Sequence, residues 1–596
     1  MKRMRSNFSA CLGVLAMVCC LMLTACSVDD NPVVWPETVL LQDGVWTGSG
    51  EGRSGTIVVK MTVENHEITD IIVVSQSESS FAQEALNEMV ARALQKQELL
   101  SVEVDGVTGA TLTSTGVIDA VNMAILAAQG KDPATKKIYT DGSCDIVVVG
   151  GGGAGLTAAV EAARSSQGDG GTPGGLSIIV LEKQGILGGN TNYSTGGINA
   201  AGTEAQRALG IADSPDLFYD DTMAGGKQMN IPSLVRSLVD NAAPTVAWLS
   251  SLGADLSDVG LMGGSSVKRT HRPKSGTAIG AHLMKVLKLA SAKENIEIRT
   301  SNKVTGLLTS GGTVTGVTVE NADGSTYRLQ AKAVVIATGG FGANLQMVTA
   351  YQPSLTGFAT LNHPGATGDA FAWLESVGGS TIQMDYIQIH PTAEAVNHIL
   401  ITEAVRGNGA ILVNHDGLRF VNEMDTRDVV SAAILAQPSA EAFLVFDQAV
   451  RQSLASIESY ANQHLMAEGA DAATLAAQIG LPASTFAATL ARYTAFFQAG
   501  EDEDFGRSST QLTAALDTPP YYAIRVTPAI HHTMGGIRVD AGMHVLRTDG
   551  TPVPGLFAAG EVTGGIHGAN RLGGNGVADI VVNGKIAGRG AAMYCQ

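Results

Sequence analysis

The sequence predicts an α/β protein, and three observations carry the prediction. Asp145-Ile-Val-Val-Val149 is a buried-strand run that passes at once into Gly150-Gly-Gly152-Gly-Ala-Gly155 and then into a helical stretch, Leu156 to Arg164. A second apolar run, Ile178-Ile-Val-Leu181, ends on the acidic Glu182. Glycine makes up 71 of 596 residues, about 12% against a usual value of about 7%, as expected of a chain with many tight backbone turns. Together they describe a Rossmann-like dinucleotide-binding unit. In it Gly150 allows the tight turn, Gly152 admits a pyrophosphate, Gly155 lets helix pack on strand, and Glu182 meets the ribose hydroxyls. Glu182 lies 27 residues beyond Gly155 rather than about 20, and the Gly/Pro/Ser-rich insertion at 166–175 accounts for the difference.

The length of 596 residues exceeds one domain of about 100 to 200, so several domains are expected. With 45% hydrophobic and 16% charged residues the composition is that of a folded chain. The net charge of −18 argues against a nucleic-acid binder, which usually carries a basic face. An anionic substrate therefore needs a local positive site. At the N-terminus, Lys2, Arg3 and Arg5 precede an apolar run, the layout of a secretory signal peptide, and Leu23-Thr24-Ala25-Cys26 resembles a bacterial lipobox. Cleavage of residues 1–25 leaves a chain of net charge −21, lipid-anchored through Cys26 and outside the cytoplasm. Only Cys144 and Cys595 remain in the body, so neither a disulfide framework nor a covalent haem is expected, and no metal site is expected either.

A tether at 26–43 leads to a small domain at 44–130. Gly44-Val-Trp-Thr-Gly, Thr56 to Val63 and Ile68 to Val74 read as strands, Phe81 to Gln95 as a helix, and a second helix is expected to begin near Gly116 with Ser114 or Thr115 as its cap. Before it stands Asp105-Gly-Val-Thr108-Gly109-Ala110-Thr111. This segment resembles the Asp-x-x-Ser/Thr-Gly-Ala-Thr pattern of FMN-binding domains, in which a flavin transferase esterifies FMN to the last threonine. The resemblance implies covalent FMN on Thr111. Residues 131–143 read as a linker.

Three more segments follow the glycine fingerprint: Leu187-Gly-Gly189-Asn190-Thr191-Asn-Tyr-Ser-Thr-Gly196-Gly197, Val334-Val-Ile-Ala-Thr338-Gly339-Gly340 and Gly555-Leu-Phe-Ala-Ala-Gly560-Glu561. In this order they resemble the FAD-containing flavoproteins of the fumarate reductase and succinate dehydrogenase superfamily, in particular the soluble flavocytochrome type. The resemblance implies a Rossmann-like FAD-binding domain split into 144–383 and 527–596 by a mobile capping domain at 384–526. It also implies FAD contacts at Gly150, Gly152, Gly155, Glu182, Gly189, Asn190, Thr191, Gly196, Gly197, Thr338, Gly339, Glu561 and Asn575.

Five further motifs stand in the family's order: Gln388-Ile-His390-Pro-Thr392, Ile401-Thr402-Glu403-Ala-Val-Arg406, Arg419 to Asp428, His531-His532-Thr-Met-Gly-Gly and His567-Gly-Ala-Asn-Arg571-Leu-Gly-Gly-Asn575. By resemblance, His390 and Thr402 grip one carboxylate of fumarate while His532 and Arg571 hold the other, and Glu403 lies in the same site. A dianion loses its water on binding, and charge-assisted hydrogen bonds of about 1.5 to 3 kcal/mol each replace it. Such a clamp orients and polarises the double bond toward the flavin. The family assigns proton delivery to the arginine matching Arg427, fed through Glu403 and Arg406.

The expectation is an extracytoplasmic, lipid-anchored fumarate reductase. Covalent FMN would pass electrons to FAD from a membrane-associated donor, a quinol oxidoreductase or a cytochrome. The alternatives are a reductase of another anionic enoate such as urocanate or an acrylate, a ketosteroid dehydrogenase, and a flavin electron-transfer lipoprotein without catalysis.

Overall fold

The computed structural model describes residues 41–51, 56–76, 86–87, 89–91, 94, 111–129, 138–166, 175–274 and 277–596. The leader, Cys26, Asp105 to Ala110 and most of the expected Phe81 to Gln95 helix lie outside the described residues.

The small domain is an antiparallel sheet of Gly44–Glu51, Thr56–Glu64 and Glu67–Ser75 covered by the helix Thr111–Ala128. Period-two alternation makes the sheet amphipathic: Ile57, Val59, Met61 and Val63 point inward, and Val117, Ile118, Val121, Ala124 and Ile125 of the helix close over them. The helix begins at Thr111 and not at the expected cap, Ser114 or Thr115. Its buried face extends back to Thr113, so packing on the sheet carries the helix one turn further than capping residues indicate. Thr111 is the first described residue of this helix.

The large domain centres on a sheet in the order Lys303–Ser310, Thr313–Glu320, Thr326–Ile336, Gly142–Val149, Ile178–Leu181, Glu297–Arg299. Thr326–Ile336 joins two kinds of pairing. Its first half is antiparallel to Thr313–Glu320, and its second half is parallel to both Gly142–Val149 and Pro552–Ala558. The parallel strands are continuous apolar runs because both faces are covered. The helix Gly153–Ser165 packs there against the C-terminal helix Asn575–Cys595, the small residues Ala154, Ala158 and Ala162 lying buried. Two distant chain segments therefore build one nucleotide-binding core.

A second sheet, antiparallel, runs Ile387–Glu394, Tyr521–Thr533, Ala442–Asp447, Ile411–Val413 around its own core of Leu444, Phe446, Ile457, Phe486, Tyr522 and Ile524. Tyr521–Thr533 passes through positions 526 and 527 without a break, since Val526 pairs with both Ala442 and Glu394. The expected domain boundary between 526 and 527 thus falls inside one strand, which stays in the second sheet as far as Thr533. Among the described residues no helix is long and apolar enough to cross a membrane.

Candidate active site

One continuous cavity, lined from Glu182 at one end to Arg427 and Arg571 at the other, lies between the two sheets. At the nucleotide end the backbone leaves the strand at Gly150 with φ of 112°, and a Cβ there would stand 2.3 Å from the Ala337 carbonyl oxygen. The Glu182 carboxylate accepts from Gly151 N and Gln184 N, both at 2.8 Å. Burial pushes its pKa up despite these bonds. Thr191 Oγ1 accepts from Gly153 N at 3.0 Å, tying the 189–193 turn to the helix start. Asn190 Nδ2 donates to Glu561 Oε2 at 2.9 Å and to Asn362 Oδ1 at 2.7 Å, so the last acidic motif and the GGNT segment meet across the cavity.

Gly152, Gly189, Gly196, Gly197, Thr338 and Gly339 line the same wall, and the buried Thr338 Oγ1 has no hydrogen-bond partner. A helix N-terminus, an open glycine wall, a ribose-side carboxylate and an orphan hydroxyl are the donor and acceptor set that an FAD requires.

Two residues expected at the cofactor lie elsewhere. Gly155 is one step behind the wall, where a Cβ would stand 1.9 Å from Gly150 O, so its role is close backbone packing. Asn575 also leaves the cavity to its neighbours Gly574 and Gly576. Its amide is consumed by Asn199, which donates to Oδ1 at 2.7 Å, and by Thr222 Oγ1, to which Nδ2 donates at 3.1 Å.

At the reacting end the structure brings His390, Thr402, Glu403, Arg427, His532 and Arg571 to the cavity. They come from two strands of the second sheet, the 401–407 segment, the start of the helix Arg427–Leu435 and the loop before the C-terminal helix. His390 Nδ1 accepts from Thr392 N at 3.2 Å, which leaves its Nε2–H as a donor. The Thr402 backbone is pinned by donation to Tyr460 Oη at 2.9 Å. His532 Nε2 and Arg571 Nε are buried with no partner.

Arg427 Nε donates to Glu403 Oε2 at 2.7 Å and its Nη1 to Gln388 Oε1 at 3.1 Å. The other Glu403 oxygen accepts from Gly263 N. Arg406 does not line the cavity: it stands behind Glu403, Nη2 to Oε2 at 3.8 Å, an ion pair too long for a hydrogen bond, and its Nε and Nη2 have no hydrogen-bond partner. The order Arg406, Glu403, Arg427 is therefore a line from the interior to the cavity.

The electrostatics follow from burial. Burial raises the Glu403 carboxyl, but Arg427 and Arg406 outweigh it and hold it below the usual carboxylate range. Burial lowers Arg406 to about 10 and Arg571 to about 9, with Arg427 adding repulsion to each. Burial and the same arginines hold His390, His531 and His532 well below their ordinary value, so all three are neutral near pH 7. The site is a buried, positively charged chamber lined with neutral imidazole donors.

Sequence reasoning gave no role to His531, Gln388 or Met262. Strand alternation would turn His531 away from His532, yet both line the cavity. The pairing shows why: Gln388 pairs with His532 and Ile389 with Ile530, so His531 is the extra residue of a β-bulge and lies edge-on to His390 at 5.1 Å. Gln388 donates through Nε2 to Asn570 Oδ1 and Arg571 O, both at 2.7 Å, linking Arg427 to the Arg571 loop. Its place two residues before His390 on one strand face was the available signal. Met262 comes from a loop remote in sequence and carries none.

Comparisons with known proteins agree with this geometry. An FAD binding domain family matches residues 145–577, and an FMN-binding domain family matches residues 52–126. The chain is 45% identical over 453 residues to a fumarate reductase (cytochrome) of Shewanella frigidimarina, covering 76% of this chain and 77% of that one. It is 41% identical over 561 residues to an NADH:fumarate oxidoreductase of Klebsiella pneumoniae, covering 93% of this chain but spanning 59% of that protein's length. The open conformation of a flavocytochrome c3 fumarate reductase superposes with a TM-score of 0.63 at 38% identity, over 76% of this chain and 79% of that one. The chain belongs to the FAD-binding fumarate reductase family of flavin-dependent oxidoreductases, with an FMN-binding domain ahead of its FAD-binding body.

Proposed function

We propose that this protein reduces fumarate to succinate outside the cytoplasm. The observation that carries the reading is the pairing of His390 and Thr402 with His532 and Arg571 around one chamber beside the Asn190–Glu561 contact. Two sets of donors suit the two carboxylates of a short dicarboxylate, and the fumarate-reducing relatives support that substrate. Bound FAD supplies hydride transfer. The chain does the rest. His390 Nε2–H and Thr402 hold one carboxylate, and the unpartnered His532 Nε2 and Arg571 Nε take the other, replacing lost water. Buried walls exclude solvent, so each of these bonds is stronger than in water. Arg427 supplies the proton to the second carbon and regains one along Glu403 and Arg406. An arginine is a poor acid in water; the 2.7 Å bond from Arg427 Nε to Glu403 Oε2 fixes the guanidinium at the chamber and gives the route by which a lost proton is returned.

Thr111 would hold FMN as an ester formed by a flavin transferase, and FMN there would supply electron relay between a membrane donor, a quinol oxidoreductase or a cytochrome, and the FAD site. Cys26 carries the lipid that keeps the body at the membrane. The domains we assign are tether 26–43, FMN domain 44–130, linker 131–143, FAD domain 144–383 and 527–596, and cap 384–526, with the strand Tyr521–Thr533 shared across the last boundary.

The test is anaerobic reoxidation of the chemically reduced, flavin-loaded protein by fumarate, urocanate, acrylate and a ketosteroid. Reoxidation by fumarate alone is expected. Reoxidation by another enoate moves the substrate, and reoxidation by none overturns the reading. Thr111→Ala is expected to retain FAD and lose the flavin fluorescence that survives denaturation; persistence of that fluorescence overturns the attachment site.

A further inference from the structure

Behind the carboxylate clamp lies a second layer of buried polar groups to which the mechanism gives no task. His567 is 3% exposed, and its Nε2 is 3.2 Å from Asp579 Oδ2. Asp579 and Asn583 stand one turn apart on the C-terminal helix, and Asn583 Nδ2 donates to Asp579 Oδ1 at 2.7 Å. On its other side the His567 ring meets the His532 ring edge-on, with centroids 5.3 Å apart. With Nε2–H donated to Asp579, Nδ1 of His567 is a buried lone pair, and it has no hydrogen-bond partner. A buried polar atom left unpaired costs stability, so its retention beside the clamp calls for a task.

We propose that Asp579 and His567 are a positioning pair, through which the protein takes up one proton at His567 Nδ1 when a dicarboxylate binds between His532 and Arg571. The inference rests on the dicarboxylate reading above. The charged and titratable groups facing His567 are Asp579 from the C-terminal helix, His532 from the Tyr521–Thr533 strand and Arg571 from its own loop. In the free site, burial and Arg571 oppose protonation, and together they outweigh Asp579.

A bound dianion reverses the balance. Its negative charge offsets Arg571, while the Asp579 side chain, 3.2 Å from Nε2, stabilises the imidazolium from behind. The proton comes from solvent, no bond of the ligand changes, and the bound complex gains a positive charge facing the added carboxylate. Dicarboxylate affinity should consequently fall as pH rises, because uptake becomes harder.

The test is isothermal titration of the oxidised, FAD-loaded full chain with malonate, a dicarboxylate that cannot be reduced, at pH 7.5 in Hepes and in Tris. Wild type is expected to show different heats in the two buffers, corresponding to uptake of up to one proton per malonate. Asp579→Asn and His567→Gln, each checked for retained flavin and an unchanged thermal midpoint, should lose that difference. Each should bind malonate about tenfold more weakly and raise KM for fumarate more than it lowers kcat. Binding to wild type with equal heats in both buffers overturns the proposal, as does a buffer difference that survives in both variants. Failure of wild type to bind malonate is a separate result, which overturns the dicarboxylate site itself and the proposal with it.

Discussion

The helices and loops beside the second sheet, with the Arg571 loop, carry two buried clusters of arginines and carboxylates, and they differ in how their hydrogen bonds close. In the first, Arg419 grips Glu423 through Nε and Nη2 at 2.9 and 2.8 Å and Asp502 through Nη1 and Nη2 at 3.2 and 2.9 Å. Arg507 adds bonds to Glu423, Ala410 O, Arg406 O and Gln511 O. Two arginines meet two carboxylates, and every nitrogen of both guanidinium groups has a hydrogen-bond partner. In the second, Arg406 and Arg427 share one ion-paired carboxylate, Glu403, Arg571 lies beside them, and Arg406 Nε, Arg406 Nη2 and Arg571 Nε have no hydrogen-bond partner.

The pKa directions follow the same division. Bonds to Glu423 and Asp502 raise Arg419 against the effect of burial, whereas burial lowers Arg406 and Arg571. A saturated cluster is scaffold; one short of negative charge awaits an anion. The two touch, since Arg406 Nη1 donates to Glu423 O, so the saturated cluster holds the reactive one in place.

The comparison can be broken experimentally, and the largest effect is expected in the unsaturated cluster. Arg427→Ala should reduce fumarate turnover by about 10²- to 10⁴-fold, the usual range for a lost general acid, while malonate still binds. Near-normal turnover measured with an artificial reductant would remove Arg427 from the proton path.

Next comes stability. Glu423→Ala leaves Arg419 and Arg507 buried without their shared carboxylate and should cost about 3 to 5 kcal/mol in denaturant unfolding of the FAD-loaded protein. Glu403→Gln should cost less stability and much more activity. The reverse ranking would mean that the division into scaffold and site is wrong.

The smallest effect is the pH dependence of stability. Burial raises Glu403 and Asp502, but their arginine partners outweigh it, so both have folded pKa values below their unfolded ones. The stability they contribute is present above the ordinary carboxylate value of about 4 and is lost as pH falls through the lowered folded values. The thermal midpoint measured from pH 6 to pH 3 should fall mainly below about pH 4, and Asp502→Asn should flatten that slope. An unchanged slope in the variant would assign the acid sensitivity to other carboxylates.

Much of the nucleotide end was legible in the sequence because its roles are played by backbone. A strand that meets glycines and then a helix start specifies its own turn, and Gly150, Gly152, Asn190 and Glu561 stand where local pattern puts them. Asn575 misled for a related reason: an amide at a helix start beside the cavity has two directions to choose from, and Asn199 and Thr222 decided it. His531 was illegible because alternation predicts one histidine of a pair facing inward, and a bulge turns both.

By itself, the sequence determined the elements whose cause is local. These are the apolar runs that must be strands, the glycine turn that only such a backbone can make, and the order of polar motifs along the chain. Tertiary structure alone decided what those motifs mean together. It sets the arginine surplus around Glu403, the saturation of the Arg419 cluster and the layer of His567 and Asp579 behind His532. Hydrogen bonds and charges between residues far apart in sequence have no local signature, and their balance exists only once folding removes the water that would otherwise satisfy each group.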